Sequence, residues 1–345
     1  HGGLDAREIA QLGLSPDEVI DFSANQSPLG PSPRVAAAIA CSEIEHYPDR
    51  DALPLAAAIA EHYGLLPEQV VVGNGSTELI RLIAQLALQP GEETLELSNT
   101  FGEYAVATRL AGGISRQFAI QPETPFFGDD LQRSLQEVRP RICWLCSPNN
   151  PTGHALPPEE IAAVTRNAPE TLFVLDEAYC DLLSAPQWTP ELLADGNLLV
   201  LRSMTKAWGM AGLRLGYTLG SVELMHILRT AKPPWNVNAC AQEAGIAALG
   251  DSEHFARTLA LLREQKAVLT GALSEMGWQV LPSAAAFFLV KVGAARDIRR
   301  QLLSRGCLVR DCTSFGLPDY IRISPRLPEQ NARLLSTVAE VGGAR

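Results

Sequence analysis

No apolar run in the chain comes near the roughly 18 residues that a membrane-spanning helix requires, which argues against a helical membrane protein. The opening residues, HGGLDAREIA, lack the basic-then-apolar shape of a secretory signal. Positive charge is short. Lys and Arg number 28 against 39 Asp and Glu, so the formal charge is 28 − 39 = −11. That balance argues against nucleic acid or an anionic membrane as the main partner, although a pocket can still be locally basic. A disulfide framework is also missing. The seven Cys, at 41, 143, 146, 180, 240, 307 and 312, are odd in number and irregularly spaced. They fit free thiols in a reducing, cytoplasmic compartment. Cys143 and Cys146 form a CxxC, yet no second pair completes a zinc site, and Ile142-Cys143-Trp144-Leu145-Cys146 reads as a buried strand. His46, His62, His154, His226 and His254 have no metal-ligand spacing.

What is present describes a globular enzyme. The 345 residues are 46% hydrophobic and 19% charged, enough for a sizeable core in one large or two medium domains. Strand-like runs at 69–72, 93–97, 142–146, 172–175 and 198–202 alternate with helical patterns, for example 158–166. Such alternation predicts a largely parallel sheet with helices on both faces, and ligands outside the carboxyl ends of its strands. After Pro233-Pro234 the pattern changes. Helices at 254–276, 298–304 and 329–341 surround strands near 280, 287–290, 307–310 and 320–324. This reads as a smaller α+β unit, so the expected division is 1–45 as an arm with one short helix and part of the small domain, 46–235 as the large domain and 236–345 as the small one.

Four polar clusters follow strand-like runs. In Ser203-Met204-Thr205-Lys206, ahead of Arg214, the Lys lies just past a buried strand. A desolvated Lys forms Schiff bases with carbonyl cofactors, while a solvated loop Lys is the alternative. In Asp176-Glu177-Ala178-Tyr179 the Asp either pairs with a protonated pyridine nitrogen or caps a helix. Gly73-Asn74-Gly75-Ser76-Thr77 opens a helix and suits a phosphate. Ser147-Pro148-Asn149-Asn150-Pro151-Thr152-Gly153 is turn chemistry taken alone.

Together, Asn150-Pro151-Thr152-Gly153, Asp176-x-x-Tyr179, Ser203-x-Thr205-Lys206 and Arg214 resemble the aminotransferase superfamily of pyridoxal-phosphate enzymes, fold type I. The resemblance implies a mainly parallel seven-stranded sheet sandwiched by helices, a smaller α+β domain, pyridoxal 5'-phosphate and a homodimer with a shared site. It implies Lys206 as the Schiff-base lysine and proton-transfer base, Asp176 on the pyridine nitrogen, and Asn150 and Tyr179 on the phenolic oxygen. Gly75, Ser76, Thr77, Ser203, Thr205 and Arg214 would surround the cofactor phosphate. Phe101 would stack on the ring, and Tyr47 would reach the neighbouring subunit's phosphate. Arg322 would bind a substrate carboxylate through a bidentate pair.

The opening His1, the segment Asp21-Phe22-Ser23-Ala24-Asn25, Pro234-Trp235-Asn236-Val237-Asn238 and Val309-Arg310-Asp311-Cys312 resemble the threonine-phosphate decarboxylases of cobalamin biosynthesis, a subfamily close to histidinol-phosphate aminotransferase. That likeness implies His1, Asn25 and Arg310 on a substrate phosphate. It also implies a lyase that decarboxylates L-threonine O-3-phosphate to (R)-1-amino-2-propanol phosphate. The alternative is an aminotransferase of the histidinol-phosphate type. Which reaction occurs depends on which Cα bond stands perpendicular to the cofactor ring. Three positions depart from the decarboxylase pattern. Gln26-Ser27 replaces an Ile-Asn, Asn236 stands where Ser is more usual, and Tyr179 stands where those decarboxylases often carry Phe. A non-catalytic regulator of the same fold is disfavoured by the charge of −11 and by the complete set Lys206, Asp176, Asn150 and Arg214.

Overall fold

The computed structural model describes residues 2–124 and 128–342. Seven strands form the main sheet, in the order Val70–Gly73, Gly216–Leu219, Leu198–Ser203, Leu172–Asp176, Ile142–Cys146, Glu93–Leu97, Ile114–Phe118. Pairing is parallel except around Gly216–Leu219, which runs antiparallel to both neighbours. The five strand-like runs of the sequence all lie in this sheet. Two strands carried no clear signal. Ile114–Phe118 is an exposed edge of mostly polar residues, and Gly216–Leu219 is only four residues long.

The central strands Ile142–Cys146, Leu172–Asp176 and Leu198–Ser203 are apolar except at their cavity ends, where Asp176, Arg202 and Ser203 lie, because both their faces are covered. Alternate side chains point to opposite faces. Leu145, Phe173 and Val200 therefore join one core with Leu55 and Ile161, while Trp144, Val174 and Leu201 join the other with Ile80 and Tyr104. Cys143 and Cys146 are fully buried within this strand, and burial pushes both thiols well above their ordinary titration range. All seven Cys are free. Among the described residues, no helix is long and apolar enough to cross a membrane, and no three His, Cys, Asp or Glu side chains gather as a metal site.

A second, antiparallel sheet follows the order Arg310–Asp311, Tyr320–Ile323, Phe288–Lys291, Gln279–Val280. Its core joins Phe288, Val290, Ile321 and Ile323 to Leu269, Ile298 and Leu334 of the covering helices. The strand expected at 307–310 is divided. Cys307–Leu308 pairs in parallel with Ile20–Asp21, and the chain then changes partner so that Arg310 lies opposite Arg322. The first 45 residues hold two helices, Ala6–Gln11 and Pro33–Ala40, rather than one. Helix Ala239–Leu249 buries Ala241 and Ala244 in the same core as Val35 and Leu55.

The arm passes directly over the Lys206 turn. Ser27 N–H donates to the Lys206 carbonyl at 3.0 Å. Gly209, at φ +73, lies so close to Gly30 that a Cβ there would stand 2.5 Å from its carbonyl carbon. Only glycine satisfies both the positive φ and the close approach.

Candidate active site

The parallel strands end on one side of the sheet, and a cavity of about 650 Å³ opens there. Lys206 follows Leu198–Ser203, Asp176 ends Leu172–Asp176, Asn150 follows Ile142–Cys146, and Phe101 follows Glu93–Leu97. Ser76 and Thr77 begin the helix after Val70–Gly73. The strand Gly216–Leu219 runs the other way, so its start faces the cavity, and the preceding Arg214 lines it. Fold topology thus gathers side chains spread over most of the sequence.

Asp176 is 3% exposed. Burial pushes its carboxyl above the usual range. The Tyr104 hydroxyl (2.6 Å), the Ala178 N–H (2.9 Å) and the Lys206 charge draw it back down. Tyr104 is itself fully buried and stacked on Trp144 with ring centroids 5.5 Å apart, so it remains a fixed donor. The motif reading missed Tyr104. Its signal is a helical one: it lies beside Ala107 on the buried face of Glu103–Leu110. Removing its hydroxyl leaves Asp176 one donor fewer. Tyr104→Phe is expected to lower kcat roughly tenfold to a hundredfold, the scale of a hydrogen bond to a charged group. Since a lost donor raises the carboxyl's pKa further, the acid limb of the kcat–pH profile should move to higher pH. An unchanged profile would show that Asp176 works without this bond.

The neighbouring Glu177 faces away from the cavity. It accepts from Arg202 Nη1 (2.8 Å), Trp188 Nε1 (3.1 Å) and the Gln187 N–H (3.2 Å). Of the two adjacent carboxylates, only Asp176 is turned toward the cavity. Lys206 Nζ lies 5.5 Å from the Tyr179 ring centroid, and Asn150 Nδ2 donates to the Tyr179 hydroxyl at 3.4 Å. Ser203 and Thr205 share a hydroxyl hydrogen bond at 2.7 Å.

The helix Ser76–Ala87 has no side-chain N-cap bond, so its first N–H groups remain available to an anion. Arg214 packs against its start. A Cβ on Gly75, at φ +80, would stand 2.8 Å from Arg214 Nη2. This glycine-only cradle of Ser76, Thr77 and Arg214 fits a phosphate. With Lys206 for a carbonyl carbon, Asp176 for a ring nitrogen and Phe101 for a ring face, the cavity matches the parts of pyridoxal phosphate.

A second basic group lines the same cavity. Arg310 and Arg322 are direct register partners, and both line the cavity. Arg322 is 4% exposed, and burial followed by Arg310's like charge draws its pKa down. It donates to the Ser23 carbonyl (2.7 Å) and to Asn150 Oδ1, while its Nε finds no partner among the described residues. Arg310 donates to Ser314 Oγ at 2.7 Å. Asn25 is buried on the cavity wall, and among the described residues neither atom of its amide has a partner. Two opposed cations and an unsatisfied amide make this wall locally positive and suited to an anion.

Two expected residues do not line the cavity. Gly75 contributes backbone at the helix start, next to Arg214. Tyr47 is 80% exposed and stacks on Trp235 outside the cavity. His1 is outside the described residues, although Gly2 lines the cavity. Arg81 and Glu103, paired at 3.3 Å on the cavity wall, and Phe315 were not anticipated, because no local motif marks them.

Comparison with known proteins fits this geometry. The family model for aminotransferase class I and II matches residues 17–338. The histidinol-phosphate aminotransferase of Akkermansia muciniphila is 36% identical over 96% of this chain and 92% of its own. That of Symbiobacterium thermophilum is 38% identical over 95% and 91%. The structure of histidinol-phosphate aminotransferase from Sinorhizobium meliloti in complex with pyridoxal-5'-phosphate superposes with a TM-score of 0.91, at 26% identity, over 99% of this chain and 95% of that one. L-threonine-O-3-phosphate decarboxylase from Porphyromonas gingivalis superposes with a TM-score of 0.82, at 27% identity, over 94% and 99%.

These findings overturn the expectation of a cobalamin-pathway decarboxylase, and with it the lyase assignment. Relatives at 36% and 38% identity along nearly the whole chain are aminotransferases, whereas the decarboxylase is a 27% structural neighbour. The physical reason is that basic and amide side chains such as Asn25, Arg310 and Arg322 suit an anion whichever bond at Cα breaks, so they do not distinguish the two reactions. By sequence, and over 17–338 of its residues, the chain belongs to the aminotransferase class I and II family.

Proposed function

We propose that the chain is a pyridoxal-phosphate aminotransferase of the histidinol-phosphate type, acting on a small amine that carries a phosphate. One observation carries the reading: Arg310 and Arg322 oppose each other in register on the wall of the cavity that also holds Lys206 and Asp176. An aminotransferase uses one cavity for two substrates in turn. An amino alcohol phosphate brings a phosphate, and an amino acid brings a carboxylate. A pair of arginines accepts either anion, with Arg322 supplying a bidentate fork and Arg310 the additional charge.

Pyridoxal phosphate, held by Ser76, Thr77, Ser203, Thr205 and Arg214, supplies an electron sink beside the reacting carbon. The protein's own residues do the rest. Asp176 keeps the ring nitrogen protonated, and Tyr104 keeps Asp176 ionised. Asn150 and Tyr179 donate to the phenolic oxygen. Lys206 would be the residue that bonds to the cofactor's carbonyl carbon, and its Nζ would be the base that moves a proton at the substrate Cα. Arg310 and Arg322 would fix the substrate by its anion and so decide which Cα bond is presented to Lys206. Tyr47, exposed beside Trp235, would reach the phosphate of a second copy in a homodimer.

The test is direct. Purified protein with pyridoxal phosphate, given histidinol phosphate and 2-oxoglutarate, should form glutamate, and threonine phosphate should release no CO₂. Absence of glutamate formation with histidinol phosphate would refute this substrate assignment.

A further inference from the structure

Lys232 takes no part in the chemistry above, yet its side chain is only 2% exposed. Its ammonium donates to the Arg50 carbonyl and to Asn236 Oδ1, both at 3.1 Å, and lies 3.2 Å from Asp51 Oδ1. The Asn236 amide nitrogen donates to Glu78 Oε2 at 2.7 Å, and the same oxygen accepts the Asn74 N–H at 2.6 Å. An unbroken line of polar contacts therefore runs from the turn at 50–51, through Lys232 and Asn236, to the loop that opens helix Ser76–Ala87. Trp235, within this line, donates its N–H to the Arg50 carbonyl at 3.3 Å and stacks on Tyr47 with ring centroids 4.7 Å apart.

The position of Glu78 is electrostatically costly for phosphate binding. It adds a carboxylate to the first turn of the helix whose N-terminus is read as the phosphate cradle. By charge alone it would repel a phosphate dianion. Its geometry does something else. Gly75 gives the helix no side-chain cap, and Glu78 fixes the preceding Asn74 backbone instead. We propose that Glu78, Asn236 and Lys232 are positioning residues: a strut, buried at Lys232 and partly exposed at Asn236 and Glu78, that holds the 74–77 loop so that its N–H groups face the cofactor phosphate, and that ties the Tyr47 segment to the same point. The strut rests on the cofactor-phosphate reading given above. Asn236 is the link that makes it possible. A serine at that position is too short to donate to Glu78 and accept from Lys232 at once.

The test compares two ligands that differ only in the phosphate. Apo-protein is titrated with pyridoxal phosphate and with pyridoxal, followed by visible absorption, for the unaltered chain and for Glu78→Ala, Glu78→Gln and Asn236→Ala. Glu78→Ala and Asn236→Ala should raise the Kd for pyridoxal phosphate at least about tenfold and leave that for pyridoxal nearly unchanged. Glu78→Gln keeps an acceptor oxygen for Asn74 and should bind as the unaltered chain does. Unchanged or tighter pyridoxal phosphate binding by Glu78→Ala, which charge alone predicts, would overturn the strut. So would equal losses for both ligands, the mark of general destabilisation. Asn236→Ala carries the same test if Glu78→Ala does not fold. If the unaltered chain binds pyridoxal phosphate no tighter than pyridoxal, the phosphate cradle itself is refuted.

Discussion

Lys206→Ala is expected to lower kcat by about 10²–10⁴-fold, the contribution of a positioned proton-transfer group, and to abolish the visible absorption of Lys206-bound cofactor. Both effects follow from one atom. Lys206 lines the cavity, with its Nζ beside the Tyr179 ring. No other Lys lines that cavity among the described residues, so no neighbouring amine can replace it. The fold should not suffer. The Lys206 carbonyl accepts from Ser27 and Gly209, and these backbone contacts survive truncation of the side chain. The melting temperature of the apo-protein should therefore stay within a few degrees of the unaltered chain, whereas breaking a buried interaction would shift it further. Unchanged absorption and turnover in the variant would remove Lys206 from the chemistry. A variant that fails to fold would show instead that its side chain serves the structure.

Much of this architecture was legible because burial on both faces writes itself into sequence. Ile142–Cys146 and Leu198–Ser203 read as strands since every residue but one is buried. Lys206, Asp176 and Asn150 each lie at or just past such a run, and they stood out because their motifs occur together in one order and spacing. The unread parts have equally physical causes. Ile114–Phe118 is an edge strand with polar, half-exposed side chains, and its pairing with Glu93–Leu97 depends on the neighbour rather than on its own pattern. The run at 307–310 looks continuous but serves two sheets, because the chain changes partner at Val309. The bond from Tyr104 to Asp176 joins residues 72 positions apart, which no local motif can express. The substrate resisted for another reason. Anion-binding side chains look the same whichever bond at Cα is later broken, so reading them as a decarboxylase signature went beyond their chemistry.

Arg322→Leu should lower kcat/KM by roughly 30-fold to several thousandfold, corresponding to about 2–5 kcal/mol for a buried charge-assisted contact. The loss should fall on both half-reactions, because phosphate and carboxylate substrates use the same fork. Arg322→Lys should recover part of the charge but not the planar, bidentate geometry, and so remain well below the unaltered enzyme. Stability is expected to respond differently from activity. Arg322 is desolvated, faces Arg310 and leaves Nε without a partner among the described residues. Its removal relieves a like-charge contact while depriving Asn150 and the Ser23 carbonyl of a donor. These opposing effects should leave the apo-protein's melting temperature little changed, although the residue is among the most deeply buried charges in the chain. Arg310→Leu separates the two arginines. Arg310 is half-buried and is held by Ser314 rather than by the core, so its loss should weaken a phosphorylated substrate more than glutamate. Kinetics with both substrates, beside melting curves for both variants, would distinguish a shared anion pair from one essential arginine. Equal, small losses in both variants would mean that the substrate anion binds elsewhere in the cavity.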